Sequence, residues 1–123
     1  MSMKKLRFVF LPLISLLIAV LIYFYFTNFF EFENSFKIAK EKCIEICKKA
    51  KERGVDLSRG PCLSDNNPEW KLENWVCDVA HWPRIEIDNL RENQCKEWWK
   101  AYLAGKEIHF IEVDENCNFI RSG

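Results

Sequence analysis

The sequence predicts an α+β protein: an N-terminal transmembrane helix followed by a small disulfide-linked domain of two helices and about three antiparallel strands. Three observations carry this. Phe8 to Phe30 is an uncharged stretch of 23 residues, and all six cysteines lie beyond it. The rest of the chain alternates between helical and strand periodicities, with glycine, proline and asparagine between them.

The apolar stretch comes first. As a helix rising 1.5 Å per residue it is roughly 35 Å long, against a hydrocarbon core of about 30 Å. A cleaved signal peptide has a shorter apolar core and small residues at its cleavage site. This stretch ends Tyr23-Phe24-Tyr25-Phe26-Thr27-Asn28-Phe29-Phe30, without that pattern. We therefore expect an uncleaved signal-anchor over residues 8–30 in contact with membrane lipid, a short basic tail over 1–7 (Lys4, Lys5, Arg7), and one Cys-rich domain over 31–123. Pro12 falls in the first turns, where it costs a helix least.

Charge alone does not orient the span. Three basic residues precede it, but the 20 residues after it carry five lysines, Lys37, Lys40, Lys42, Lys48 and Lys49. Six cysteines suit an oxidising compartment, and Tyr23 and Tyr25 stand where interfacial aromatics belong. The expected localisation is thus the cell membrane, single-pass, with a cytoplasmic N-terminus and an extracytoplasmic C-terminal domain.

Phe32, Phe36, Ala39, Cys43, Ile46, Cys47 and Ala50 recur three or four apart, the stripe of an amphipathic helix, with Gly54 as its left-handed C′ residue and Val55 beyond. Neither proline nor glycine separates it from the span, so the two are expected to run as one helix. Gly54 to Trp70 reads as a turn-rich loop tied down by Cys62. Asn74 to His81 reads as a strand with Trp75, Cys77 and Val79 on one face, ended by Trp82 and Pro83. Asn89 with Glu92 forms a capping box for a second helix that Gly105 stops, its stripe being Leu90, Cys95, Trp98, Trp99 and Tyr102. Lys106 to Val113 and Asn118 to Ile120 form a closing hairpin about a turn at Asp114 to Cys117. Both faces of its longer strand are apolar, so the sheet is expected to be covered on both sides.

The disulfide candidates are Cys43, Cys47, Cys62, Cys77, Cys95 and Cys117. Cys43 and Cys47, one helical turn apart, face the same way and rarely bond each other. The remaining connectivities stay open from sequence. The arrangement we expect sends Cys43 and Cys47 to Cys62 and Cys95, clamping loop and second helix, and joins Cys77 to Cys117. Each bridge would contribute about 2 to 4 kcal/mol, which matters in a soluble part of 93 residues.

A metal site using His81 or His109 is disfavoured because only Cys43 and Cys47 form a close pair. Cys95, near the start of a capped helix, is the candidate for a lowered thiol pKa, but its stripe position points it into the core. Asp78 with His81 reads as a strand-end hydrogen bond. No Cys-x-x-Cys is present. The soluble part carries 15 basic and 18 acidic residues, which argues against a nucleic-acid partner. The five tryptophans fall between Trp70 and Trp99 and read mainly as core rings, with a candidate ligand groove near Trp82 and His109.

Gly60-Pro61-Cys62-Leu63-Ser64, Trp75-Val76-Cys77-Asp78-Val79-Ala80-His81 with Pro83-Arg84, Asp88-Asn89, Glu92-Asn93-Gln94-Cys95 and His109-Phe110-Ile111-Glu112-Val113-Asp114 together resemble a family of small archaeal membrane-anchored or exported proteins with no assigned activity. The resemblance covers roughly Gly54 to Arg121. It implies Cys62 and Cys95 as family positions, and a bond between those two would exclude the clamp. The order of helix, strands and closing hairpin also resembles PepSY-like extracytoplasmic domains, a generic likeness that transfers no site.

The functional expectation is a disulfide-stabilised binding or interaction module held outside the cell, with an envelope protein or ligand as partner, no catalytic residues, no cofactor and no metal. The alternative is an envelope thiol-disulfide or metal-dependent enzyme.

Overall fold

The computed structural model describes residues 2–123; Met1, and the side chains of Leu6, Arg7 and Val9, lie outside what it describes. Arg7's share in the basic flank is therefore outside the described residues. The chain divides into two compact units, Met1–Phe36 and Lys37–Gly123.

Helix α1 spans Met3–Glu52 without interruption, so helix joins span and stripe as expected. It is long and apolar enough to cross a membrane: its most apolar 18-residue window has a mean hydropathy of 2.6, and none of that window is buried. A core helix of a soluble protein would be mostly buried there. Because α1 begins at Met3, Pro12 lies inside the helix rather than in its first turn, and the Ser15 and Thr27 hydroxyls donate back to the carbonyls of Pro12 and Phe24.

In the second unit, α1 buries Ala39, Cys43, Ile46 and Cys47 on one stripe, while Ala50 is half-buried. Its end is a Schellman motif: Gly54, at φ 78°, donates to the Lys51 carbonyl and Val55 to that of Ala50. A loop with one 3₁₀ turn, Leu57–Arg59, leads to β1, Trp75–Val79. Strands β2, His109–Val113, and β3, Phe119–Ser122, complete the sheet in the order β1-β2-β3.

The sheet is mixed, which corrects the antiparallel expectation. β1 and β2 are parallel, with Trp75 opposite His109 and Asp78 opposite Glu112, and only β2 and β3 form the expected hairpin. The reason is the connection. Between β1 and β2 the chain makes two 3₁₀ turns, Glu86–Asn89 and Arg91–Asn93, and helix α2, Lys96–Leu103, a crossover that returns it to the end where β1 began.

Helix α2 also starts later than the capping box at Asn89 suggested. Asn89 Oδ1 instead accepts from Arg84 Nε at 2.7 Å. The cap comes from a distant loop: the Asp65 carboxylate accepts the backbone N–H groups of Lys96 and Glu97 at 2.6 and 3.3 Å. Cys95 is the N-cap residue, and Gly105, at φ 65°, follows the helix.

The disulfides are Cys43–Cys77, Cys47–Cys117 and Cys62–Cys95. Each pair in the expected arrangement is therefore corrected. Cys77 shares its face of β1 with Trp75 and Val79, and this is the face that α1 covers, so Cys43 meets Cys77. Cys47, one turn on, meets Cys117 in the hairpin turn, where Cys117 adopts φ 65°. Cys62 cannot reach α1 because its segment pairs beside β1, opposite Asp78, and leans toward the start of α2.

Candidate functional site

Alternation along the strands separates two faces. Cys77, Val79, Ile111 and Val113 meet α1 and are almost fully buried. Val76, Asp78, Phe110 and Glu112 point the other way, toward α2 and the crossover. There they floor a cavity of about 140 Å³, walled by Arg84, Gln94, Cys95, Trp98 and Arg121. This is close to the size of an engineered protein cavity of about 150 Å³ that admits benzene.

Two acidic residues stand side by side in this cavity, and the chain treats them differently. Glu112 is saturated: Oε1 accepts from Arg84 Nη1 at 2.7 Å, and Oε2 from Arg121 Nε at 2.6 Å. Arg84 is itself anchored by Asn89 and the Asp88 carbonyl. Asp78, its register partner, is only 8% exposed, and its Oδ1 has no hydrogen-bond partner. Burial, and secondarily the neighbouring Glu112 carboxylate, push its pKa up to about 8, against the opposing pull of Arg84. At neutral pH Asp78 is mostly a carboxylic acid, able both to donate and to accept.

Phe110 and Trp98 are the aromatic residues that line the cavity. Trp98 stacks on Tyr102 with centroids 5.0 Å apart, and Trp99 packs edge-on against both. Trp99 Nε1 donates to Gln94 Oε1, which fixes the Gln94 side chain at the wall. These tryptophans are half-buried rather than core, and α2 buries no residue fully. Of the five, only Trp75 is a core ring, and Trp70 is held by a bond from its Nε1 to the Trp75 carbonyl.

The Cys62–Cys95 bridge adjoins the cavity. A sulfur of each cysteine and a carboxyl oxygen of Asp78 all lie within 4.8 Å of one another. With both sulfurs bonded to each other, only the carboxyl remains as a strong metal ligand, so the trio as it stands is a poor metal site. Ser64, also buried, accepts the Cys77 N–H at 3.0 Å and lies 3.4 Å from Cys62 Sγ.

Trp82 and His109, named for a single groove, stand at opposite ends of the sheet. Trp82 follows the C-terminal end of β1, is largely exposed and precedes a cis bond to Pro83. His109 begins β2, with its ring tilted against Trp75. Neither lines the cavity.

His81 does make a strand-end hydrogen bond, but to Asp88 rather than Asp78. The His81 ring nitrogen lies 2.8 Å from Asp88 Oδ1, while Oδ2 accepts the N–H groups of His81 and Ile85. Burial works to raise the Asp88 pKa, but these bonds, led by that from Ile85, overcome it and hold the carboxyl below its ordinary range. Gly60 packs so closely here that a Cβ would stand 2.9 Å from both Asp88 Oδ1 and the Val79 carbonyl oxygen. This cluster is fully satisfied and braces the crossover.

Sequence reasoning overlooked Asp78, Glu112, Arg84 and Arg121 as a group. A signal was present. Asp78 in Trp-Val-Cys-Asp-Val and Glu112 in His-Phe-Ile-Glu-Val each put an acid at the fourth place of an apolar strand, where a charge costs most unless it is partnered. No family model matches the chain, and no curated protein or solved structure matches it.

Proposed function

We propose that this protein is a single-pass membrane protein whose α1 span holds a disulfide-linked binding domain outside the cell, with the Asp78 cavity as its recognition site. One observation carries this reading: a buried carboxyl with an unpartnered oxygen in a cavity lined by Phe110 and Trp98, beside a glutamate whose hydrogen bonds are complete. A group of this kind costs stability, and such costs gather at sites of recognition or chemistry. The partner group has an apolar body, to lie against Val76, Phe110 and Trp98, and a neutral hydrogen-bonding head such as an amide or hydroxyl for Asp78. The apolar window of α1 supports the anchor, and three disulfides support an oxidising compartment.

A photo-crosslinking residue in place of Trp98, in the full chain in its native membrane, tests the site. The expected result is a discrete adduct that disappears when Asp78→Val is added, while non-reducing electrophoresis shows the bridges intact. No adduct at Trp98, or one that persists in the Val variant, would refute the assignment.

A further inference from the structure

The three disulfides are not equivalent. Cys43, Cys77 and Cys47 are fully buried and Cys117 nearly so, and their two bridges tie α1 to the sheet and its hairpin. Cys62–Cys95 lies on the other side of β1, outside that stapled core, and Cys62 is the only bridged cysteine that is not buried. Opening it leaves both core staples in place.

We propose that Cys62–Cys95 is an exchangeable disulfide, opened by an external dithiol that attacks Cys62, with Asp78 delivering the proton to the departing Cys95 sulfur. This goes beyond the binding role and does not depend on it. The arrangement suits each step. A thiolate of the dithiol attacks the more accessible Cys62 Sγ; the Cys62–Cys95 bond breaks, and a new bond joins Cys62 to the reductant. Cys95 leaves with the electron pair and takes the proton of Asp78, whose carboxyl oxygen lies within 4.8 Å of both sulfurs. The second thiol of the dithiol then loses its proton, which returns to Asp78 through water, and attacks the reductant's own sulfur in the mixed disulfide. Cys62 is released as a thiolate. The dithiol ends as a disulfide, two electrons have entered the protein, and Asp78 is restored.

The surroundings already hold partners for the reduced sulfurs. Because Ser64 Oγ accepts the Cys77 N–H, its own hydrogen is free to turn toward Cys62 Sγ at 3.4 Å or Cys95 Sγ at 3.7 Å. The Cys77 carbonyl oxygen lies 3.4 Å from Cys95 Sγ, ready to accept from a thiol. Asp78 is faced by Glu112 from β2, by Arg84 from the segment after β1 and, further off, by Asp88 from the first crossover turn. Burial and Glu112 keep it protonated through neutral pH, which an acid for this step requires.

The test uses the full-length protein in detergent micelles, treated with dithiothreitol, quenched by alkylation and mapped by mass spectrometry. Cys62–Cys95 is expected to open at least about tenfold faster than the other two bridges, with tryptophan fluorescence showing the domain still folded. Divided by the thiolate concentration, the rate should stay level at low pH and fall as Asp78 ionises near pH 8. In Asp78→Asn, which preserves side-chain shape, that rate should drop by roughly tenfold to a hundredfold and lose this fall. Opening of all three bridges together on unfolding, or of another bridge first, overturns the exchange. An Asn variant with the parent's rate and pH profile overturns the role of Asp78.

Discussion

Asp78→Asn is expected to raise the melting temperature of the protein, and to raise it far more at pH 8 than at pH 5. The sign follows from proton binding. In the unfolded chain Asp78 loses its proton near its ordinary value of 3.8, whereas in the folded domain it keeps the proton to about 8. Between those limits the folded state binds more protons than the unfolded one, so rising pH steadily removes stability until the folded-state group ionises as well. Each pH unit in that window is worth about 1.4 kcal/mol, which puts the difference between pH 5 and pH 8 on the order of 4 kcal/mol. Asparagine does not titrate and escapes the penalty. Thermal melts of both proteins at the two pH values, followed by near-ultraviolet circular dichroism, check this. The extra gain at pH 8 should exceed about 10 °C for a domain of this size. Equal gains at both pH values would mean that Asp78 is not a buried acid.

Removing the Cys47–Cys117 bridge with paired alanines is expected to be the most damaging of the bridge deletions. It closes the longest span, a separation of 70 residues against 34 and 33 for the others. Chain entropy assigns a loop of that length about 4 kcal/mol. The bridge also holds Cys117 in its left-handed conformation at the tip of the hairpin, and its Cys47 end is completely buried. Domains of this size have roughly 5 to 15 kcal/mol in all, so the loss is a large fraction of the total. A melting temperature lowered by about 15 °C or more is the expected reading, and a fall below about 5 °C would contradict it.

Periodicity made the elements legible and left the pairing of distant parts open. The stripe from Ala39 to Cys47, the Gly54 cap and the hairpin at Asp114 are local features, each written within a few residues, and all three are present. The start of α2 was not legible because its cap, Asp65, is some thirty residues away. Parallel pairing of β1 with β2 depends on how the crossover travels, and no local pattern records that. The connectivity failed for the same reason: it follows from which face of β1 meets α1. Cys62 and Cys95, expected to bond to α1, are bonded to each other instead. The site was not legible: the tryptophans read mainly as core rings, the expected groove was placed at Trp82 and His109, which lie outside the cavity, and the pairing of Asp78 with Glu112 needs the strand register.

The functional reading depends on the domain lying on the oxidising side of the membrane, since three disulfides and an exposed cavity have their proposed roles only there. A protease-sensitive epitope tag placed after Gly123, probed in sealed right-side-out vesicles, tests that placement directly. The tag should be removed from intact vesicles at the rate seen after detergent is added. A tag protected until detergent opens the membrane would put the domain inside and contradict the proposal.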